Sequence, residues 1–145
     1  GPKVLEFNVR LGDPETQALM HSFQGDFGEV LSLAQSGVAT IHPGSWSTCS
    51  VCVVLASQSY PDKPRTGDSI EGIEEAEATG ATVFQAGTKQ EDANLVTNGG
   101  RVLGVTAGGA TLHTAIDNAY AAVEKVHFKG MQYRKDIGQK GLKRW

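Results

Sequence analysis

The sequence contains little cysteine: Cys49 and Cys52 are the two cysteines among 145 residues. Their CxxC spacing occurs in zinc sites and in redox motifs, but a zinc site needs a second pair of ligands, and the four histidines are scattered without ligand spacing. A thioredoxin-like motif begins a helix, whereas this pair enters an apolar run that predicts a strand. We therefore expect two buried, reduced thiols on opposite faces of a strand, as in a cytoplasmic protein.

Long hydrophobic runs, a signal-peptide pattern and internal repeats are also absent from the sequence, so we expect no membrane partner and no purely structural role. A strong positive charge is lacking too, because the net charge is −3, which argues against a nucleic-acid partner. The basic stretch from Lys125 onward is interpreted as solvated surface. What the sequence does contain is 39% apolar residues and 18 glycines, which predict one core and a β-rich body with many turns.

An alternating stretch from Lys3 to Leu11 predicts a β-strand. One of its faces is apolar and is expected to pack against a core: Leu5, Phe7, Val9 and Leu11. The other face presents Glu6, Asn8 and Arg10, spaced about 7 Å apart. Glu6 and Asn8 offer the oxygen ligands that Mg²⁺ prefers, and Arg10 offers a guanidinium suited to phosphate or carboxylate. The spacing alone also fits an edge strand whose polar face meets water.

The residues that follow this stretch predict a turn and the start of a helix. Gly12, Asp13 and Pro14 turn the chain, with Asp13 as a suitable N-cap and Pro14 at the first helical position. Glu15 favours the helix N-terminus, where free backbone amides can also bind an anion.

The remaining elements follow from hydrophobic periodicity and turn residues. Helices are expected over 15–21 and 27–34, with Gly37 as a stop, followed by a connector over 38–47. Strands are expected over 50–56, 82–86, 94–97 and 101–107, the last two joined by a type I′ turn at Asn98-Gly99. The acidic run after Glu71 is interpreted as solvated. These short strands favour a small sandwich or barrel-like body.

A glycine pair at Gly108-Gly109 separates the last strand from a helix whose apolar face begins at Leu112. This order invites a phosphate-binding interpretation, but GVTAGGATL matches neither GxGxxG nor a P-loop. Close backbone packing with Thr111 as the helix cap is the preferred interpretation, and anion binding remains open. In the following stretch 128–138, the aromatic residues are expected to close the core and Arg134 to pair with Asp136 or another carboxylate.

The amino-acid sequences of several stretches resemble those of one enzyme family. GPKVLEFNVRLGDPETQ, SVCVVLASQSYP, VFQAGT, LVTNGGRVLGVTAGG and YRKDIG occur in order along the chain. Together they resemble the C-terminal portion of the phosphoribosylamine–glycine ligases, ATP-grasp enzymes of purine synthesis. The resemblance covers essentially all 145 residues, and RLGDPETQ is highly specific to that family. It does not include the family's amino-terminal domain or nucleotide-binding lobe, so the chain is expected to be a piece of a longer ligase and inactive alone.

The resemblance implies an α+β fold: the end of an ATP-grasp lobe over 1–45 and a small β-rich, barrel- or sandwich-like C-terminal domain with a packed helix over 46–145. It also implies ATP, glycine and phosphoribosylamine as substrates, Mg²⁺ or Mn²⁺ as cofactor, and the remaining ligase domains as partners.

Site residues are implied position by position. Glu6 and Asn8 match the family's metal ligands, and Arg10 would steady the transferring phosphoryl group or the acyl phosphate. The neighbouring residues Gly12, Asp13, Pro14 and Glu15 would form the substrate side, where charge suggests that Asp13 or Glu15 holds an ammonium group. Two alternatives stay open: a non-catalytic docking or assembly domain, and another ATP-grasp carboxylate–amine ligase.

Overall fold

The structure, a computed structural model, describes residues 1–5, 7, 9–37, 45–46 and 48–143, with Ser45 and Trp46 described by their backbone. The helices are α1 Glu15–Ser22, α2 Phe27–Gln35, α3 Ile73–Glu77, α4 Leu112–Val123 and α5 Gln139–Leu142. The strands are β1 Phe23–Gln24, β2 Ser45–Trp46, β3 Cys49–Ala56, β4 Thr82–Gln85, β5 Thr88–Glu91, β6 Asn94–Thr97 and β7 Arg101–Gly109. No described helix is long and apolar enough to cross a membrane.

In the described part of the chain the strands form three small open sheets, each antiparallel. The largest has the order β3-β7-β4, and two-stranded sheets join β1 to β2 and β5 to β6. The mixed α and β composition agrees with the expected class, but the barrel- or sandwich-like body is wrong. The reason is that helices α4 and α1 pack against strands β3 and β7, so no second sheet is needed to cover the central one.

One face of the central sheet forms the hydrophobic core with α4. The strands contribute Val51, Val53 and Leu55 from β3 and Leu103, Val105 and Ala107 from β7, all buried. Helix α4 contributes Ala115, Ile116, Ala119, Ala122 and Val123. Small alanines on the helix let it approach the β-branched strand residues closely. This face accounts for most of the apolar burial and therefore for most of the stability.

The part of the opposite face that lies under α1 carries small or polar residues. The register aligns Cys52, Thr106 and Thr82 across the three strands, and Gly104 lies beside them on β7. Helix α1 packs here, and the Gln17 side chain reaches Gly104. Because glycine, serine and threonine leave room for a helix but offer little apolar area, polar contacts must help to hold α1.

Most predicted elements are confirmed: both early helices, the strands over 50–56, 82–86, 94–97 and 101–107, and the helix after Thr111. The type I′ hairpin at Asn98-Gly99 is wrong, since β6 pairs with β5, and β7 pairs with β3 and β4. Strand β5 and the short helices α3 and α5 were not predicted. Helix α3 contains acidic residues of the run after Glu71, and these are exposed, as the interpretation of a solvated run predicts. The connector over 38–47 lies largely outside the described residues.

The strand predicted over residues 3–11 is not confirmed, because none of the described residues in this stretch is in a strand. Its apolar face is in solvent: Leu5 is 95% exposed and Val9 is 92% exposed. A strand requires a neighbouring strand for its backbone hydrogen bonds, and the described residues provide none here. The alternating pattern therefore has no core to face within this structure.

The two cysteines are both free, but only Cys52 is buried; Cys49 is exposed at the start of β3. The expectation of two buried thiols is thus wrong for Cys49, because a strand's first residue lies at the rim of the core. Burial raises the pKa of the Cys52 thiol.

The glycine pair and the stretch after α4 agree with the packing interpretations. A Cβ at Gly109 would lie 2.6 Å from the Ala115 backbone nitrogen, and the Thr111 hydroxyl accepts a hydrogen bond from Thr114 N at 3.2 Å. Phe128 is buried in the core, with Met131 and Tyr133 packed against it. Arg134 pairs with Asp136 through two hydrogen bonds of 2.8 and 2.6 Å.

Candidate functional site

The predicted site residues lie on the segment that leads into α1. The two predicted metal ligands, Glu6 and Asn8, lie outside the described residues. Arg10 is exposed, and its Nη1 donates a hydrogen bond to the Leu11 carbonyl at 3.0 Å. From Gly12 onward the segment is held against the sheet, so the structure brings Gly12 through Glu15 next to β7 and leaves Arg10 in solvent.

Asp13 connects this segment to β7. Arg101, the first residue of β7, donates from Nη2 to Asp13 Oδ2 at 2.8 Å and from Nη1 to the Asp13 carbonyl at 3.1 Å. The other carboxylate oxygen accepts a hydrogen bond from Gln17 Nε2 at 2.9 Å. The expected N-cap role is wrong, since Pro14 occupies the cap position and no side chain caps the helix. The Asp13 carboxylate is used to fix α1 to the sheet.

The absence of a side chain at Gly12 leaves room for the Glu15 carboxylate. A Cβ added at Gly12 would collide with the Glu15 carboxylate, which folds back over the glycine. The Gly12 carbonyl also accepts hydrogen bonds from the backbone nitrogen and the hydroxyl of Thr16. Glu15 itself is exposed and has no hydrogen-bond or ion-pair partner among the described residues. It is therefore the one acidic side chain of the predicted substrate set whose carboxylate remains available in this part of the chain.

The rest of α1 is fixed by polar contacts to the same sheet face. The Ser50 hydroxyl on β3 donates to the Ala18 carbonyl at 2.6 Å. His21 Nδ1 lies 3.2 Å from the Thr82 hydroxyl on β4. Burial of the imidazole lowers the pKa of His21, because the charged form loses hydration. Three strands thus contribute to positioning one short helix.

A cleft of about 580 Å³ opens beside the start of this helix. Its floor is apolar, with Cys52, Val54 and Ala56 from β3. Its walls come from four separate stretches: Pro14, Tyr60, Arg101, and the segment 132–137 with Gln132, Tyr133, Arg134 and Ile137. A volume of this size is typical of small-molecule sites. Apolar floor, aromatic rings and two guanidinium groups can together hold an anionic ligand with a less polar body.

The walls of the cleft are fixed by hydrogen bonds. Gln132 exchanges two backbone hydrogen bonds with Ala56, of 2.8 and 3.0 Å, and its side chain donates to the Ser57 and Tyr60 carbonyls at 2.9 and 3.0 Å. The Tyr120 hydroxyl on α4 donates to the Arg134 carbonyl at 2.8 Å and accepts from Ile137 N at 3.1 Å. The cleft is therefore largely preformed.

Sequence reasoning missed the cleft residues Tyr60, Arg101 and Arg134 as functional candidates. From the sequence, Tyr60 is predicted to be a loop residue and Arg101 the first residue of a strand. Arg134 is predicted to form a surface ion pair. A signal was nevertheless present, because each lies within one of the stretches that resemble the ligase family: SVCVVLASQSYP, LVTNGGRVLGVTAGG and YRKDIG.

No group of three or more His, Cys, Asp or Glu side chains able to hold a metal occurs among the described residues. The predicted metal ligands Glu6 and Asn8 lie outside the described residues, so this absence does not concern them. A carboxylate and an amide oxygen suit a hard cation that keeps waters or phosphate oxygens as its other ligands.

Comparison with known proteins agrees with the resemblance of the sequence. The family model described as phosphoribosylglycinamide synthetase, C domain, matches residues 50–140. Phosphoribosylamine–glycine ligase of Synechocystis sp. is 49% identical over 97% of this chain and 34% of its own length, and that of Caulobacter vibrioides is 44% identical over 98% and 34%. The trifunctional purine biosynthetic protein adenosine-3 of Bos taurus is 43% identical over 98% of this chain and 14% of its own length.

Among solved structures, the crystal structure of phosphoribosylamine–glycine ligase from Thermotoga maritima is similar with a TM-score of 0.81 and 41% identity, over 93% of this chain and 33% of that one. The chain spans about a third of the length of the single-function ligases that it matches. Fold, sequence and family model agree over the same region, and the chain belongs to the phosphoribosylglycinamide synthetase C-domain family.

Proposed function

We propose that this chain is the C-terminal part of a phosphoribosylamine–glycine ligase. The observation that supports this most strongly is the 49% identity to such a ligase over 97% of the chain. The complete enzyme would act in the cytoplasm, and the chain alone would be inactive because the nucleotide-binding lobe is expected to lie elsewhere in the ligase. Residues 1–45 would complete the ATP-grasp domain, and residues 46–145 would form the C-terminal domain.

The proposed reaction has two steps. A glycine carboxylate oxygen attacks the γ-phosphorus of ATP, the bond to the β-phosphate oxygen breaks, and ADP leaves. The amine nitrogen of 5-phosphoribosylamine then attacks the carbonyl carbon of glycyl phosphate, phosphate leaves, and the nitrogen loses a proton to give glycinamide ribonucleotide. Both steps depend on holding reactants close and on neutralising phosphate charge.

Glu6 and Asn8 are the proposed ligands for Mg²⁺ or Mn²⁺. When bound, the metal would neutralise charge on the phosphate oxygens of ATP. Arg10 is the proposed partner of the transferring phosphoryl group or of the acyl phosphate, since its guanidinium presents a fork of donors to an oxyanion. Its exposure in the structure leaves that fork accessible to a substrate.

The two nearby carboxylates would have different roles. Asp13 already accepts hydrogen bonds from Arg101 and Gln17 on its two oxygens, so we propose that it positions the segment rather than holding an ammonium group. Glu15 lies beside Gly12 and Pro14, its carboxylate has no partner in the described part of the chain, and it is the better candidate to hold the amine of a substrate. This assignment narrows the expectation from the sequence, which named both acids.

Glycine- and amine-dependent ADP release from ATP tests the proposal. We would measure it for the ligase that contains this segment, for the isolated chain, and for the ligase with Glu6→Ala. A matched control is Glu75→Ala, which removes an exposed carboxylate on α3 that has no partner among the described residues.

We expect an active ligase, an inactive isolated chain, a severe loss for Glu6→Ala and normal activity for Glu75→Ala. Replacing glycine by other amino acids should abolish ADP release. Release that requires a different amino acid would identify another carboxylate–amine ligase. Full activity of the Glu6→Ala ligase would leave this segment as a docking domain.

A further inference from the structure

The cleft beside α1 has an anion-binding character. Arg101 and Arg134 both line it. Each guanidinium has five N–H donors, and each uses two of them, Arg101 on Asp13 and Arg134 on Asp136. Three donors on each side chain remain without a partner among the described residues. Two partly free guanidiniums at one cleft suit a phosphate group, which arginine binds through several parallel hydrogen bonds.

A second, smaller hollow of about 310 Å³ continues from this cleft. The two share Pro14, Cys52 and Ile137 as lining residues. The smaller hollow is lined by Glu15, whose carboxylate has no partner among the described residues. The combined space is therefore lined by two arginines and by a carboxylate that has no partner among the described residues.

These charges are together complementary to a small molecule that carries both a phosphate and an amine. Of the three substrates in the proposed reaction, glycine has no phosphate and ATP has no aliphatic amine. A 5-phosphorylated ribosylamine has both groups, joined by a sugar ring. Tyr60 supplies a flat wall for that ring, and its own ring is fixed against Gly100, where a Cβ would collide with it.

We propose that this cleft binds the amine substrate, with Arg101 and Arg134 receiving the 5-phosphate and Glu15 receiving the amine. This inference rests on the proposed function, because it assigns one of the ligase substrates to a place in the chain. Arg134 is the better residue to test, since Arg101 also fixes Asp13, whereas the Arg134 side chain has Asp136 as its one partner among the described residues.

Two substitutions distinguish phosphate binding from a structural role. In the ligase containing this segment, Arg134→Ala is expected to raise the KM for phosphoribosylamine roughly 10-fold and to leave the KM for glycine and ATP unchanged. Asp136→Asn is expected to lower the KM for phosphoribosylamine, because it removes a carboxylate that competes with the phosphate for Arg134. If Arg134 acted only through its ion pair, both variants would raise that KM alike.

Lys89→Ala is the matched control, since it also removes the cation of an exposed ion pair, with Glu91 at 2.9 Å, on β5 and outside the cleft. It should leave all three KM values unchanged. An unchanged KM for phosphoribosylamine in Arg134→Ala, or an equal rise for all three substrates, would overturn the inference. An unmodified ligase that releases no ADP with glycine would overturn the proposed function instead.

Calorimetry distinguishes a failure of this inference from a failure of the proposed function, because it measures binding without enzymatic turnover. Ribose 5-phosphate titrated into the same ligase should bind, and Arg134→Ala should weaken that binding roughly 10-fold. Ribose and inorganic phosphate are the comparison ligands, each lacking one part of the molecule. Equal affinity for inorganic phosphate and ribose 5-phosphate would reject a sugar-phosphate site in favour of a general anion site.

Discussion

Arg101 and Asp13 form an ion pair of 2.8 Å although 88 positions separate them in the chain. The other ion pairs of the described residues join residues no more than four positions apart. Arg101 begins the central strand β7, and Asp13 precedes α1, so this contact connects the predicted substrate segment to the core sheet. We therefore expect it to act mainly on the position of α1.

The first prediction concerns this pair. Arg101→Ala and Asp13→Asn, alone and together, should give a coupling free energy of roughly 0.5 kcal/mol in urea unfolding, small because both side chains are about half exposed. Amide exchange in α1 should accelerate more than exchange in β7. Lys89→Ala, which breaks a purely local pair, should leave α1 exchange unchanged. Equal acceleration in α1 and β7 would contradict the proposed positioning.

The second prediction concerns Gly12. Gly12→Ala should displace the Glu15 carboxylate, because the new methyl group would occupy its place. The displaced atoms belong to the end of a flexible side chain, so the melting temperature should change little. The KM for phosphoribosylamine should rise. In a Glu15→Ala background the same change should add nothing, and an additive effect would show that the glycine is needed for another reason.

The third prediction follows from the lowered pKa of His21. The unfolded chain takes up this proton near pH 6.5, before the folded chain does, so stability should fall as the pH drops below about 6.5 through the lower folded pKa. Urea midpoints at pH 7.5 and 5.5 measure the effect. His21→Gln should reduce the difference. An unchanged difference in His21→Gln would contradict the prediction.

The fourth prediction concerns the cysteines. Iodoacetamide at pH 8 should modify Cys49 quickly and Cys52 slowly, because Cys52 is buried and its raised pKa lowers the thiolate fraction. Peptide mass spectrometry after timed quenching gives both rates. In urea the two rates should become similar. Equal rates in the folded protein would contradict the burial of Cys52 against β7.

The sequence predicted those elements whose signals are local. The apolar run over 50–56 corresponds to strand β3, and the helical spacing from Leu112 corresponds to the buried face of α4, since burial imposes both patterns. The hairpin prediction at Asn98-Gly99 was wrong because turn preference is a local property. The hairpin that contains β6 is instead formed with β5. Helix α3 has five residues, too few for a periodic pattern.

The candidate site was predicted in part. Gly12 and Glu15 could be chosen from their sequence context, and the structure places them side by side. Sequence context provides no reason to join Arg101 to Asp13, because that contact depends on how α1 lies across the sheet. The cleft could not be predicted from the sequence for the same reason, because its walls come from four stretches that only the tertiary structure brings together.

Residues on the two faces of β7 are expected to be under different kinds of selection. Leu103, Val105 and Ala107 face α4, and changes there alter the amount of folded protein. Gly104, Thr106 and Gly108 face α1, where a larger side chain would tilt the helix that presents Glu15 while the core stays intact. Neighbouring residues along β7 can thus evolve under different selection pressures. At one position selection acts on the amount of folded protein, and at the next position it acts on the rate of enzymatic turnover. A deep mutational scan of β7 should show this as an alternation with a period of two.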